Sequence, residues 1–200
     1  MVRFLCYDTA LNEEYTLIRL LQRYPRYWSL FAGTDDEQIW DAAPYLFEVD
    51  SDFYDLRRES GLIRLDHCMV LETDEPGVAV VQFLQRFIYP ETTEDPVYFR
   101  IWDPRVLLQA FPAWSEKERM LFFEFFDRFY TEGADGVWLD CWMPDVRYRL
   151  SREPVQKAAI FPDNDPVALK DTQTPDEKPE AQTDVINTEA PPKRRRFFIE

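Results

Sequence analysis

Two hundred residues suit one domain with an appended tail, or one domain with a small second lobe. The apolar share of 46% can fill a sizeable core, and no run approaches the roughly 18 apolar residues of a membrane span. A formal net charge of −15 argues against nucleic acid and against an anionic membrane surface, because both need clustered Lys and Arg; it fits solubility or a basic protein partner.

Residues 3–7 read as a first strand. Asn12 is placed to cap the helix that follows, where Tyr15, Leu17, Ile18, Leu20, Leu21 and Tyr24 recur at helical spacing until Pro25. Trp28, Leu30 and Phe31 form a short apolar segment, and Gly33 marks a turn. Asp35 or Asp36 starts a helical turn through Ile39 and Trp40, and Pro44 disfavours helix at Ala43. Residues 45–49 are a second strand. Ser51 is placed to cap a short helix that Gly61 ends, and residues 62–65 fit either a helix end or an extended run. Residues 67–72 read as a third strand, closed by the break Asp74-Glu75-Pro76-Gly77. In residues 78–88, Val78, Val80 and Val81 favour strand, while Phe83, Leu84 and Phe87 fall at helical spacing.

Residues 97–102 are β-branched and aromatic, as a buried strand prefers. Asp103 then suits an N-cap and Pro104 a first helical position, where its missing N–H costs nothing. Val106, Leu107, Ala110 and Phe111 give that helix an apolar face, and Pro112 stops it. Ser115-Glu116-Lys117-Glu118 matches a capping box. The helix behind it is predicted to carry Phe122, Phe123, Phe125, Phe126, Phe129 and Tyr130, closing at Gly133 and Gly136. Residues 137–142 are a further strand, 146–150 a short edge strand, and 153–161 a short helix. From Asp163 to Pro192 eight acidic residues face two basic ones (net −6) with little apolar content, a composition too polar to offset its ordering entropy, so a disordered linker is expected. Residues 193–200, with Lys193, Arg194, Arg195, Arg196, Phe197, Phe198 and Ile199 against Glu200, carry +3. That segment has three readings: a docking motif, a segment folding back on the acidic domain, or an inert one.

Chemistry is hard to find. There is no glycine-rich phosphate loop. Cys6, Cys68 and Cys141 are far apart, odd in number and without C-x-x-C, which fits buried free thiols. His67 is the only histidine; adjacent strand residues point to opposite faces, so it does not form a dyad with Cys68. One His and three scattered Cys make a poor zinc set. Asp103 with Arg100 and Arg105 suggests either an N-cap with local charge partners or an arginine-oriented base, and the cap is the simpler reading. No catalytic residue, metal or cofactor is expected.

Four segments carry a resemblance. Tyr98-Phe99-Arg100-Ile101-Trp102-Asp103-Pro104-Arg105-Val106-Leu107 resembles the F-R-x-[YW]-D-P-R-V-L core motif of the effector-associated adaptor domain of type VI secretion systems. Ala42-Ala43-Pro44-Tyr45-Leu46-Phe47-Glu48-Val49 is similar to that family's A-P-Y-L-[VF]-E-L segment. Leu5-Cys6-Tyr7-Asp8 before an amphipathic helix, and Val137-Trp138-Leu139, complete the pattern over roughly residues 1–142. The motif residues are thus Ala43, Pro44, Tyr45, Phe99, Arg100, Trp102, Asp103, Pro104 and Arg105.

The resemblance implies a helix at residues 78–88. It also implies a cytoplasmic adaptor or chaperone that binds a cognate secreted effector and helps load it onto the spike-tip protein. The fold expected is α/β: a mixed sheet of about five strands alternating with packed helices, followed by a short extension and a disordered tail. Its parts are an adaptor domain (1–142), a vestigial C-terminal lobe (143–162), an acidic linker (163–192) and a basic-aromatic motif (193–200). Partner-binding candidates, chosen for lying near breaks and termini, are Trp114, Tyr130, Trp142, Tyr148 and Phe161, with Arg194, Arg195, Arg196, Phe197 and Phe198. Two other classes stay open: an immunity protein blocking a basic toxin, and a small hydrolase using Asp103 or His67.

Overall fold

The computed structural model of the chain describes residues 1–12, 14–50, 53, 56, 60–89, 99–133 and 138–160. Along these run β1 (Val2–Asp8), α1 (Glu14–Arg23), β2 (Tyr27–Ser29), a 3-10 turn (Glu37–Ile39), β3 (Pro44–Val49), β4 (Met69–Thr73) and α2 (Gly77–Ile88). Then follow α3 (Pro104–Ala110), a 3-10 turn (Phe111–Ala113), α4 (Glu116–Phe125), β5 (Arg128–Glu132), β6 (Trp138–Pro144), β7 (Leu150–Gln156) and α5 (Lys157–Ile160). The strands form one seven-stranded sheet in the order β2-β3-β1-β4-β5-β6-β7.

The class is α/β as expected, but with seven strands, and every neighbouring pair is antiparallel. Alternating strand and helix patterns suggest parallel crossovers; strand direction is set by pairing across the sheet, which local patterns do not encode. In β1, five consecutive residues from Phe4 to Asp8 are buried, and all of β4 is buried. Side chains alternate along a strand, so both faces of the sheet's centre are covered. β7, at one margin, is largely exposed.

The helices meet the sheet through aromatic rings. Phe83 of α2 stacks on Phe125 of α4 at 4.2 Å and meets Phe126 edge-on at 5.4 Å. Phe122 of α4 meets Phe129 of β5 edge-on at 6.1 Å. Gly77 opens α2 because the Trp28 ring of β2 lies on it: a Cβ there would sit 2.2 Å from the indole.

Several local expectations hold. Asp103 accepts the Arg105 N–H and Pro104 occupies the first helical turn. Ser115 and Glu118 form the capping box. Residues 78–88 are helical, because Phe83, Leu84 and Ile88 need one buried face.

Others are corrected. Residues 99–102 are not a strand: they form a tight turn, with Ile101 N–H donating to the Phe99 carbonyl (2.8 Å) and Asp103 N–H to that of Arg100 (2.9 Å). Ile101 and Trp102 are buried by tertiary packing, and burial is what β-propensity mainly reports. The helix after Ser115 stops at Phe125, and Phe129 and Tyr130 belong to β5, whose pairing with β4 overrides the helical pattern. Residues 145–149 form a turn, with Tyr148 at φ 55°, and the last strand lies at 150–156. The expected boundary at residue 142 falls inside β6, and β7 continues the same sheet. Asn12 ties its turn to the 66 region, its Oδ1 accepting the Asp66 N–H (2.9 Å). The helix expected after Ser51 falls largely outside the described residues, as do residues 97–98 and everything from 161 onward.

Candidate functional site

The end of β1 delivers a buried carboxylate, Asp8, to the turn before α3. Its Oδ1 accepts the Ala10 N–H (2.9 Å) and so closes the turn after the strand. Its Oδ2 accepts the Trp102 indole N–H (2.7 Å) and pairs with the Arg100 guanidinium. Arg100 also lies 5.9 Å from the Trp102 ring centre, a cation–π arrangement.

One residue on, Asp103 is buried at the start of α3. Its Oδ1 accepts both the backbone and Nε N–H of Arg105 (3.0 Å each), and its Oδ2 accepts from Arg105 Nη2 (2.7 Å). Burial alone would raise its pKa, but the hydrogen bonds from Arg105 and the charges of Arg105 and Arg100 outweigh it and hold the carboxyl below the usual range. Two acids and two arginines therefore lock α3 against the end of β1. Asp103 is the cap, and both its oxygens are occupied, which is not the setting of an available base.

A third buried acid, Glu72 of β4, accepts from Tyr130 OH (3.0 Å) and from Arg3 Nε (3.2 Å). Burial first, then the charge of Glu72, push the Tyr130 phenol up. Tyr130 is 2% exposed, so it is a core residue and not a partner-contact residue.

Next to α3 lies an open cleft of about 620 Å³. Leu65, Leu108 and Trp142 supply its apolar wall; Asp66, Arg105 and Asp140 are among its polar groups. Trp142 is half-buried, its indole N–H donating to Thr131 Oγ1 (2.9 Å) and its ring stacked on Phe129 at 6.1 Å. His67 and Cys68 also line the cleft. Both precede β4, and His67 has φ 55°, so the strand-alternation argument separating them does not apply. The Cys68 thiol contacts the Asp66 carbonyl at 3.8 Å. Among the described residues, no group of three or more His, Cys, Asp or Glu is arranged to hold a metal ion.

Residues 5–120 match the family described as a domain of unknown function, DUF4123. This chain belongs to that family. The DUF4123 match opens inside β1 and closes inside α4, so it contains the segments at 5–8, 42–49 and 98–107 and the Asp8–Asp103 junction, while the segment at 137–139 lies beyond it. No curated protein and no solved structure matches the chain.

Within the DUF4123 region most motif residues are buried, with Phe99 and Arg100 half-buried and Arg105 exposed. Ala43, Pro44 and Tyr45 are buried at the start of β3, with Tyr45 OH donating to the Trp40 carbonyl (3.0 Å). Burial, then Tyr27 and Asp41, push the Tyr45 phenol up. Pro104 is buried, Phe99 half-buried, and Arg105 reaches the cleft. Trp114 is half-buried, stacked on Phe87 at 5.1 Å and tilted against Phe111 at 4.9 Å, where it closes the core. Tyr148 lies in the 145–149 turn. Phe161 and residues 194–198 lie outside the described residues.

The sequence reading missed Glu72, Asp8's double duty, and the exposed pair Ile39 and Trp40. An acid directly after the apolar run 68–71 was the available signal for Glu72; its partners, Arg3 and Tyr130, lie 69 and 58 residues away.

Proposed function

We propose that the chain acts without catalysis, as a cytoplasmic adaptor that binds a cognate type VI secretion effector and promotes its stability and loading onto the spike-tip protein. The observation that carries this reading is the DUF4123 match over residues 5–120, with the adaptor-like motif building one wall of an open cleft. The buried acids Asp8 and Asp103 are each paired with an arginine, so these charges serve shape and not turnover. The cleft offers an indole, two leucines and several carboxylates, which suits an apolar segment of a partner flanked by basic residues. The net charge of −15 supports a protein partner over nucleic acid or membrane. No helix among the described residues is long and apolar enough to cross a membrane.

The test is co-expression with the effector encoded beside this gene. Soluble effector should rise and co-purify with the chain, and the spike-tip protein should join the complex. Trp142→Ala should weaken capture, while Val146→Ala, exposed and outside the cleft, should leave it unchanged. Inhibition of the effector's toxic activity, without help to its export, would replace the adaptor with an immunity protein. Loss of function in folded His67→Ala would favour a hydrolase.

A further inference from the structure

We propose that residues 35–41, with the adjoining margin of β2, form a second docking surface, for a cationic segment of a partner protein that places an apolar side chain between Lys or Arg residues. Trp40 is 57% exposed, Ile39 47% and Tyr27 44%. Tyr27 and Trp40 both border Tyr45: the Tyr27 ring lies 6.5 Å from that of Tyr45, whose hydroxyl holds the Trp40 carbonyl.

These apolar side chains are displayed on a fastened backbone. Thr34 Oγ1 donates to the Phe31 carbonyl (2.7 Å) and lies 3.0 Å from Tyr89 OH, which donates to Asp36 Oδ2 (2.8 Å). Ile39 N–H donates to the Asp36 carbonyl and Ala42 N–H to that of Ile39, both at 3.0 Å. A partner would meet a surface whose ordering cost is already met by the fold. An indole more than half in water, on a backbone fastened in this way, has the character of an interface anchor.

Charge selects the occupant. Between residues 27 and 56 there is no Lys or Arg, and eight residues are Asp or Glu. Asp35, Asp36, Glu37 and Asp41 surround the Ile39-Trp40 pair in sequence. An anionic or purely apolar segment would leave those carboxylates repelled or desolvated, whereas a basic one pairs with them. This surface sits at the β2 end of the sheet, whereas the cleft is lined from β5 and β6. Strand spacing puts about 15–20 Å of sheet between them. The proposal therefore goes beyond the cleft and does not require that the partner be a secretion component.

The test uses the full chain and a fluorescently labelled twelve-residue peptide of alternating Arg and Leu, with an alternating Glu and Leu peptide as control. The Arg peptide should bind and the Glu peptide should not. Because the cleft offers similar chemistry, binding is read on the Trp142→Ala background, where adding Trp40→Ala or Ile39→Ala should each weaken the remaining binding at least tenfold. The double variant Asp35→Asn with Asp41→Asn should weaken binding and flatten its dependence on salt. No binding left in Trp142→Ala, affinity unchanged when Trp40→Ala is added to it, or an unaltered salt dependence in the double variant would each overturn the proposal. If no effector were stabilised while the peptide still bound through Trp40, the adaptor reading would fall and this surface would stand.

Discussion

Around Asp8 and Asp103 the chain buries its acids and answers each with an arginine that reaches solvent; around Trp40 it exposes most of its acids and leaves the aromatic rings beside them partly in water. The first region sits where β1, the 99–103 turn and α3 meet, and its arginines answer its acids. The second has four acids within seven residues and no cation in its stretch of sequence. The difference separates holding from offering. Residues that carry the family resemblance, from Ala43 to Tyr45 and from Phe99 to Arg105, mostly hold the fold. The residues that meet solvent beside them are the ones available to a partner.

The comparison breaks most visibly at Asp8. Asp8→Ala leaves the Trp102 indole N–H and the Arg100 guanidinium without their acceptor. The guanidinium is partly hydrated, so the cost should be about 3 kcal/mol, at the low end for a broken buried pair. An unchanged urea midpoint would show that the junction does not lock α3. Asp103→Ala removes both the cap and the Arg105 pair and should cost about 2 kcal/mol.

The Asp103 effect should depend on pH. Its carboxyl titrates below the ordinary value, so the unfolded chain takes up that proton first as the solution is acidified. The stability Asp103 contributes is complete above about pH 4 and is lost as pH falls through the folded value. The gap between wild type and Asp103→Ala, read from urea midpoints, should narrow between pH 5 and pH 2; a constant gap would refute the charge assignment.

Tyr130→Phe removes one donor from the buried Glu72 carboxylate while Arg3 remains. About 1.5 kcal/mol is expected, the low end for a hydrogen bond to a charged group. The smallest effect should come from Trp40→Ala, within about 0.5 kcal/mol of wild type, as for an exposed residue outside any network. A stability loss as large as that of Tyr130→Phe would mean that Trp40 holds the fold and does not offer a surface.

What was legible before the structure had short range. The capping box at Ser115, the cap at Asp103 and the break at Gly77 are contests among residues three or four apart, and local hydrogen bonds settle them. The stretch at 97–102 misled because a buried turn and a buried strand select the same bulky side chains. Tyr130 misled because it follows a helix of phenylalanines at helical spacing, yet β4 lies open to pair with it. Trp40 passed as part of a helical turn, since no local signal states whether an indole faces core or water.

The chain's own letters determined the α/β class, the caps, the acidity and the family segments, because each depends on composition or on neighbours along the backbone. Only the folded arrangement decided that seven strands pair antiparallel, that Asp8 and Glu72 find cations and donors tens of residues distant, and that Ile39 and Trp40 remain in solvent. Those outcomes turn on which distant groups share a dry space, and that is a property of the packed molecule.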